Sequence, residues 1–269
     1  MKYFCLSDIH SFYNPMIKAL EEAGFDSNNQ EHILIILGDI FDRGPDTWKV
    51  YNFIKSLLPD RVILIKGNHE LLYQKLLNKN IPARYDYSNG TVKTFCQIAG
   101  EDERYLQENY WVDEALLVTK STDNIFAYID KKIEVIWKRV CSKVRESEIT
   151  DFINSNIWKN YYELPGYVFV HGWVPLKKDH FYRAWRRMTQ NYWDEAMWSC
   201  PWELYKQNKW AENKILVVGH WHTSQFFQEI DNEELYKYQD CPIYNNGRLI
   251  GLDACTIRTD RVNVLVIEN

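Results

Sequence analysis

Five short segments place carboxylate, amide or imidazole groups directly after apolar runs: "SDIH" at residues 7–10, "GDIFDRG" at 38–44, "GNHE" at 67–70, "VHGW" at 170–173 and "GHWH" at 219–222. They hold five of the seven histidines (His10, His69, His171, His220 and His222) together with Asp8, Asp39, Asp42, Arg43 and Asn68. Taken singly each is weak. An Asp-x-His arises by chance in short loops, and Asn at a strand-to-helix turn has an ordinary structural use. All five in order, each closing an apolar run, are hard to explain as independent turns. Carboxylate, imidazole and amide oxygen without thiolate suit borderline divalent ions such as Mn, Fe(II) or Zn. Asp8, His10, Asp39, Asn68, His171, His220 and His222 are too many donors for one ion. If one carboxylate bridges, two ions receive four protein ligands each and keep positions for water and substrate. That is the arrangement for two-metal displacement at phosphorus, with ions about 3.5–4 Å apart. His32 and His180 fall outside these segments and read as surface or structurally satisfied residues.

Such a site needs elements that end at a common edge. "KYFCLSD", "HILIILGD" and "RVILIKGNHE" read as strands, separated by the helical segments "NPMIKALEEAGF" and "DTWKVYNFIKSLL". Pro15 and Gly24 punctuate the first helix, and Asp46 is placed to cap the second. Uninterrupted runs such as "ILIIL" suit strands buried on both faces. The alternation predicts parallel βαβ units, whose C-terminal strand ends are where open α/β sheets bind ligands. "GYVFVHG", "KILVVGHWH", "RLIGLDAC" and "RVNVLVIEN" continue the strand pattern, with helical segments around "HFYRAWRRM" and "YWDEAMWSCPWELY" between them. Residues 80–165 show helical spacing without strands, in "DERYLQENYWVDEALLV" and "IFAYIDKKIEVIWKRVCSKV", and predict a helical cap or insertion. At 269 residues one domain over 1–269 accommodates the whole chain.

The order D-x-H, G-D-x-x-D-R-G, G-N-H-E, H-G, G-H-x-H resembles the calcineurin-like metallophosphoesterase superfamily. "GDIFDRG" and "GNHE", with "MWSCP" and "LIGLDAC", resemble its phosphoprotein-phosphatase branch, which includes bacterial and phage serine/threonine phosphatases and symmetrical diadenosine tetraphosphatases. The resemblance implies an α/β/β/α sandwich built on βαβ units, with a helical insertion. It implies a first metal on Asp8, His10, Asp39 and His222, and a second on Asp39, Asn68, His171 and His220, with Asp39 bridging. A hydroxide between the ions would attack phosphorus, Arg43 would grip the phosphate oxygens beside Asn68, His69 would protonate the leaving oxygen, and Asp42 would orient that imidazole. Glu70 reads as support for the first helical turn. "SDIHS" lacks the branch's flanking glycines, and many branch members lack the second histidine of "GHWH". "VHGW" puts Trp173 near the site, where a core role is the simpler reading. "RAWRR" offers extra phosphate contacts but reads more simply as a solvated helix face, and "YSNGTVKTF" resembles an Asn-Gly segment near the substrate in bacterial relatives, though on sequence alone it is a turn.

Composition is that of an ordinary globular chain, 46% hydrophobic and 26% charged. A net charge of −5 offers no footprint for nucleic acid. Six scattered cysteines without a C-x-x-C pair read as free thiols of a reducing compartment, and no run suits a signal peptide or membrane span, so a cytoplasmic location is expected. The leading expectation is a phosphomonoesterase using two divalent ions, Mn first and Fe or Zn as alternatives, on phosphoserine or phosphothreonine in protein. A hydrolase of dinucleoside polyphosphates is the rival reading; a non-catalytic metal-binding module and a nucleic-acid phosphodiesterase rank below both.

Overall fold

The computed structural model describes residues 1–104, 106, 123–176, 184–233 and 240–268, with the backbone alone for 123–132. Two five-stranded sheets form its centre. In the first, β10 (Leu265–Glu268), β1 (Lys2–Leu6), β2 (His32–Ile36), β3 (Val62–Ile65) and β4 (Trp158–Lys159) are neighbours in that order. β1 to β4 are parallel and β10 is antiparallel. In the second the order is β5 (Tyr162–Leu164), β6 (Tyr167–Phe169), β7 (Ile215–Val218), β9 (Leu249–Gly251) and β8 (Tyr244–Asn245). There β6, β7 and β9 run parallel and the two edge strands antiparallel.

Side-chain alternation sorts the apolar runs into layers. Tyr3, Cys5, Ile33, Ile35 and Ile65 face inward and pack with Phe169, Val217 and Ile250 of the second sheet. Phe4, Leu6, Leu34, Ile36 and Leu64 face outward, beneath helices α1 (Tyr13–Glu22), α2 (Thr47–Leu57), α3 (Asn68–Leu76), α5 (Thr91–Ala99), α6 (Asp123–Arg145) and α7 (Glu148–Asn154). On the second sheet Val168, Leu216, Val218 and Leu249 face a tryptophan-rich layer containing Trp173, Trp185, Trp193 and Trp210. That layer carries α8 (Gln190–Ala196), α9 (Pro201–Lys206) and α10 (Thr223–Ile230). The result is the expected α/β/β/α sandwich, with both faces of each sheet buried. Trp173 is part of this core.

Within 80–165 the described helices are α4 (Arg84–Ser88), α5, α6 and α7, but the stretch also closes with β4 and β5, which the sequence reading did not anticipate. Strands of two and three residues are too short to show a period. β8 escaped for the same reason, and a final four-residue helix, α11 (Thr256–Thr259), follows β9. Asp46 stands at the N-terminus of α2, but its carboxylate pairs with Lys49 at 2.7 Å instead of capping. The Thr47 N–H is taken by Gln97 Oε1 at 3.0 Å. The segment around "DERYLQENYWVDEALLV" beyond residue 106, Arg183 of "RAWRR" and His180 lie outside the described residues. Arg186 is half-buried between Glu163 and Glu212 at 2.6 Å from each, so it does not lie on a freely solvated face.

Candidate metal centre

The polar residues gather where the parallel strands end. β1 leads to Asp8 and His10, β2 to Asp39, Asp42 and Arg43, β3 to Asn68, His69 and Glu70, β6 to His171, and β7 to His220 and His222. The backbone there is unusual. Asp8, His10, Asp39, Asp42, Arg43 and His220 all have positive φ, between 50° and 76°, a region that non-glycine residues seldom occupy and that clusters at functional sites. The chain also approaches itself closely. A Cβ on Gly67 would lie 2.3 Å from Asp39 Oδ1, so the β3–α3 turn can reach Asp39 only with glycine at this position.

Two groups of donors share Asp39. His10, Asp39 and His69 form one, and Asp39, His171 and His220 form the other; within each the candidate ligand atoms lie within 4.8 Å of one another. Asp39 Oδ2 is 3.9 Å from His10 Nε2 and 3.8 Å from His69 Nε2, while Oδ1 is 3.3 Å from His171 Nε2. Asn68 Oδ1 is 2.8 Å from His171 Nε2. Asp8 lies at the first group, 4.0 Å from His10 Nε2, and its Oδ2 accepts the His220 backbone N–H at 3.0 Å.

Hydrogen bonds orient the rings. Nδ1 of His10 lies 3.0 Å from the Phe41 carbonyl and Nδ1 of His171 2.6 Å from that of Leu37. Carbonyls only accept, so both rings carry a proton on Nδ1 and turn Nε2 inward. At the second group this brings His171 Nε2, Asn68 Oδ1 and Asp39 Oδ1 together, and the mixed N/O donor set fits a borderline divalent ion.

Electrostatics agree. Burial acts to raise the Asp39 pKa, but the imidazoles of His171 and His69 outweigh it and hold the carboxyl well below the usual range. Asp8 is pushed upward by burial and by the nearby charges of Asp253 and Asp39, a repulsion that a bound cation would relieve. Burial, reinforced by Arg43, lowers His10, and burial with His171 lowers His220 to about 3. Burial thus favours the neutral form of these two rings, the form that binds metal.

Arg43 reaches across the first group, with Nη1 2.8 Å from His10 Nε2 and Nη2 3.2 Å from His69 Nε2. His69 Nδ1 is 2.7 Å from Asp42 Oδ2. Burial disfavours the charged form of His69, yet the carboxylates of Asp39 and Asp42 prevail and raise its pKa. His222 stands slightly apart. Its Nδ1 is 3.1 Å from Asp253 Oδ2 and its Nε2 3.5 Å from Cys255 Sγ. Burial opposes protonation of this ring, but Asp253 and Cys255 make it more basic.

Some contributors were not apparent from the sequence. Glu70 is more than first-turn support: its carboxylate accepts the backbone N–H groups of Gly67, Asp39 and Ile40 at 2.8, 3.0 and 2.9 Å. Thr91 and Thr94 of α5, within the "YSNGTVKTF" segment, touch Asp42. Asp253 comes from "LIGLDAC". A buried strand ending in Asp was the available signal for Asp253; for the threonines the resemblance of "YSNGTVKTF" to a substrate-side segment pointed to the region but not to these hydroxyls.

A sequence model of calcineurin-like phosphoesterases matches residues 1–224 of the chain. Among curated proteins, the chain is 34% identical over 82 residues to a symmetrical bis(5'-nucleosyl)-tetraphosphatase of Buchnera aphidicola subsp. Baizongia pistaciae, covering 29% of this chain and 28% of that one. It is 35% identical over 71 residues to the protein of the same name from Proteus mirabilis, covering 26% and 25%. The matches thus span only about a quarter of those relatives' length. A cold-active protein tyrosine phosphatase superposes with a TM-score of 0.52 at 16% identity, over 100% of this chain and 74% of that one, a likeness of fold alone.

Proposed function

The chain belongs to the calcineurin-like phosphoesterase family, and from that premise we propose that it is a two-metal hydrolase of dinucleoside polyphosphates. The observation that carries the reading is the sharing of Asp39 between two donor groups. We assign Asp8, His10, Asp39 and His222 to one ion, and Asp39, Asn68, His171 and His220 to the other, with Mn as the first choice. Asp253 would hold His222 by Nδ1, and its Nε2, which here rests 3.5 Å from Cys255 Sγ, would turn from that thiol to serve as the ligand atom. Two such ions supply charge neutralisation at phosphorus and an activated water.

The remaining steps belong to the side chains. The Arg43 guanidinium, whose donors now rest on His10 and His69, is the group to turn onto the phosphate oxygens, where its planar fork fits well. Withdrawal of Arg43 Nη2 leaves His69 Nε2 available to carry a proton to the departing oxygen. Asp42 fixes the ring by Nδ1 and supports its positive charge.

The substrate choice reverses the order expected from the motifs. It is supported by the local identity to the tetraphosphatases and by Trp198, an indole 44% exposed whose ring centre is 6.1 Å from that of His220. An exposed indole beside a phosphoryl site gives a nucleobase a stacking face. Phosphomonoester cleavage is the second reading, favoured by Arg43, whose charge suits a terminal phosphate. Turnover of diadenosine tetraphosphate, a phosphoserine peptide and 4-nitrophenyl phosphate, compared with equal Mn content, decides between them. The proposal expects the dinucleotide to show the highest kcat/KM; a phosphopeptide preference would overturn the substrate assignment.

A further inference from the structure

Helix α5 lies within the stretch whose task the sequence did not reveal, and its N-terminal half is built around the turn that carries Asp42 and Arg43. Thr94 Oγ1 donates to Asp42 Oδ1 at 2.7 Å and accepts the Asp42 backbone N–H at 3.0 Å. Thr91 Oγ1 donates to Asp42 Oδ2 at 2.8 Å, the same oxygen that receives His69 Nδ1 at 2.7 Å. All four residues are buried. The carboxylate is thus held on both oxygens by hydroxyls and can rotate away from His69 only by breaking them.

The helix grips the adjoining backbone as well. Lys93 Nζ donates to the Arg43 carbonyl and Gln97 Nε2 to that of Gly44, each at 2.9 Å. Gly90, at φ +82°, approaches so closely that a Cβ there would sit 2.3 Å from Arg43 N. Asp42 and Arg43 have φ of 76° and 61°, left-handed conformations that non-glycine residues seldom adopt. The contacts from α5 support them there. On its other side, Phe95 stacks on Trp137 of α6 with ring centres 5.4 Å apart, so the grip is backed by core packing.

We infer that Thr91 and Thr94 are positioning residues for the general acid, acting on His69 through Asp42, and that α5 is the mounting of the acid and not only a cover. The inference rests on the phosphoesterase reading above. Val is nearly isosteric with Thr and removes only the hydroxyl, whereas Ser retains it. The full chain loaded with Mn is therefore compared as wild type, Thr91→Val/Thr94→Val and Thr94→Ser on two aryl phosphates, one with a good leaving group (4-nitrophenyl) and one with a poor leaving group (phenyl). Metal content is measured in parallel.

The expected result is a fall in kcat of about tenfold or more on the poor leaving group, less than about threefold on the good one, with unchanged metal content and recovery in Thr94→Ser. General-acid catalysis as a whole is typically worth about 10²–10⁴-fold, and misplacing the acid forfeits a part of it. Equal losses on both substrates, or no loss, would overturn the inference. A second readout is independent of turnover: the His69 Nδ1–H proton resonance of the metal-free chain, assigned by its absence in His69→Asn. It should be present in wild type and Thr94→Ser and lost in the double valine variant; persistence there would also overturn the inference. A wild type that hydrolyses no phosphate ester removes the phosphoesterase reading, and the resonance then decides the positioning claim alone. Should the double variant not fold, Thr91→Val and Thr94→Val are read singly by the same two criteria.

Discussion

Glu70 Oε2 accepts the backbone N–H of Asp39 at 3.0 Å, so the residue shared by both donor groups is held from behind by a second buried carboxylate. Its other oxygen holds Ile40, and Oε2 also receives Gly67. Three N–H donors on one buried carboxylate stabilise an anion that burial and the Asp39 charge both disfavour, the causes that raise the Glu70 pKa. Glu70→Gln keeps the size but replaces one acceptor oxygen with a donor facing N–H groups. Hydrogen bonds to charged groups contribute about 1.5–3 kcal/mol each, and a loss of about 2–4 kcal/mol in unfolding free energy is expected. Urea denaturation measures it. A variant as stable as the wild type, with full metal content, would remove this role.

His69→Asn tests the leaving-group acid. It should retain most of its metal, because His10, Asp39, Asp8 and the second donor group remain. Turnover should fall by about 10²–10⁴-fold on poor leaving groups and much less on good ones. The slope of log kcat against leaving-group pKa across an aryl phosphate series is the measurement. An unchanged slope would count against His69 as the acid.

A second charge network, far from the strand ends that carry the donor groups, sets an acid-side stability limit. Hydrogen bonds from Arg186 and Lys214 hold the Glu163 pKa down at about 2, against the opposing pull of burial, from an ordinary value of 4.5. Because the folded-state value is depressed, this stabilisation is complete above about pH 4.5 and is lost as pH falls toward 2. Glu163 is 24% exposed, so solvent screening reduces the effect to on the order of 1–2 kcal/mol. Glu163→Gln lacks this titration. Unfolding free energies at pH 6 and pH 3 should show the gap between wild type and variant narrowing by about 1 kcal/mol or more at the lower pH. A constant gap would exclude the linkage.

Much of the layout was legible in the sequence because its signals are local. "ILIIL" and "VILI" must be buried on both faces, and an apolar strand that stops at Asp, Asn or His puts that residue at one edge of the sheet. Hence Asp8, His10, Asp39, Asn68, His69, His171 and His220 group together on their sequence positions alone. What stayed hidden depends on partners distant in the chain. Thr94 meets Asp42 across 52 residues, and Glu70 meets Ile40 across 30. Nothing in "GTVKT" distinguishes a helix that holds the Asp42 carboxylate from one that merely covers the core. The His222–Asp253 contact likewise joins two strand ends that only sheet order makes neighbours.

The central claim, two ions held on one shared carboxylate, is tested most directly by electron paramagnetic resonance of the Mn-loaded chain with metal content measured on the same sample. The account predicts two Mn per chain with an exchange-coupled signal, and an uncoupled signal with at most one Mn in Asp39→Asn. One Mn per wild-type chain, or two that show no coupling, would contradict it.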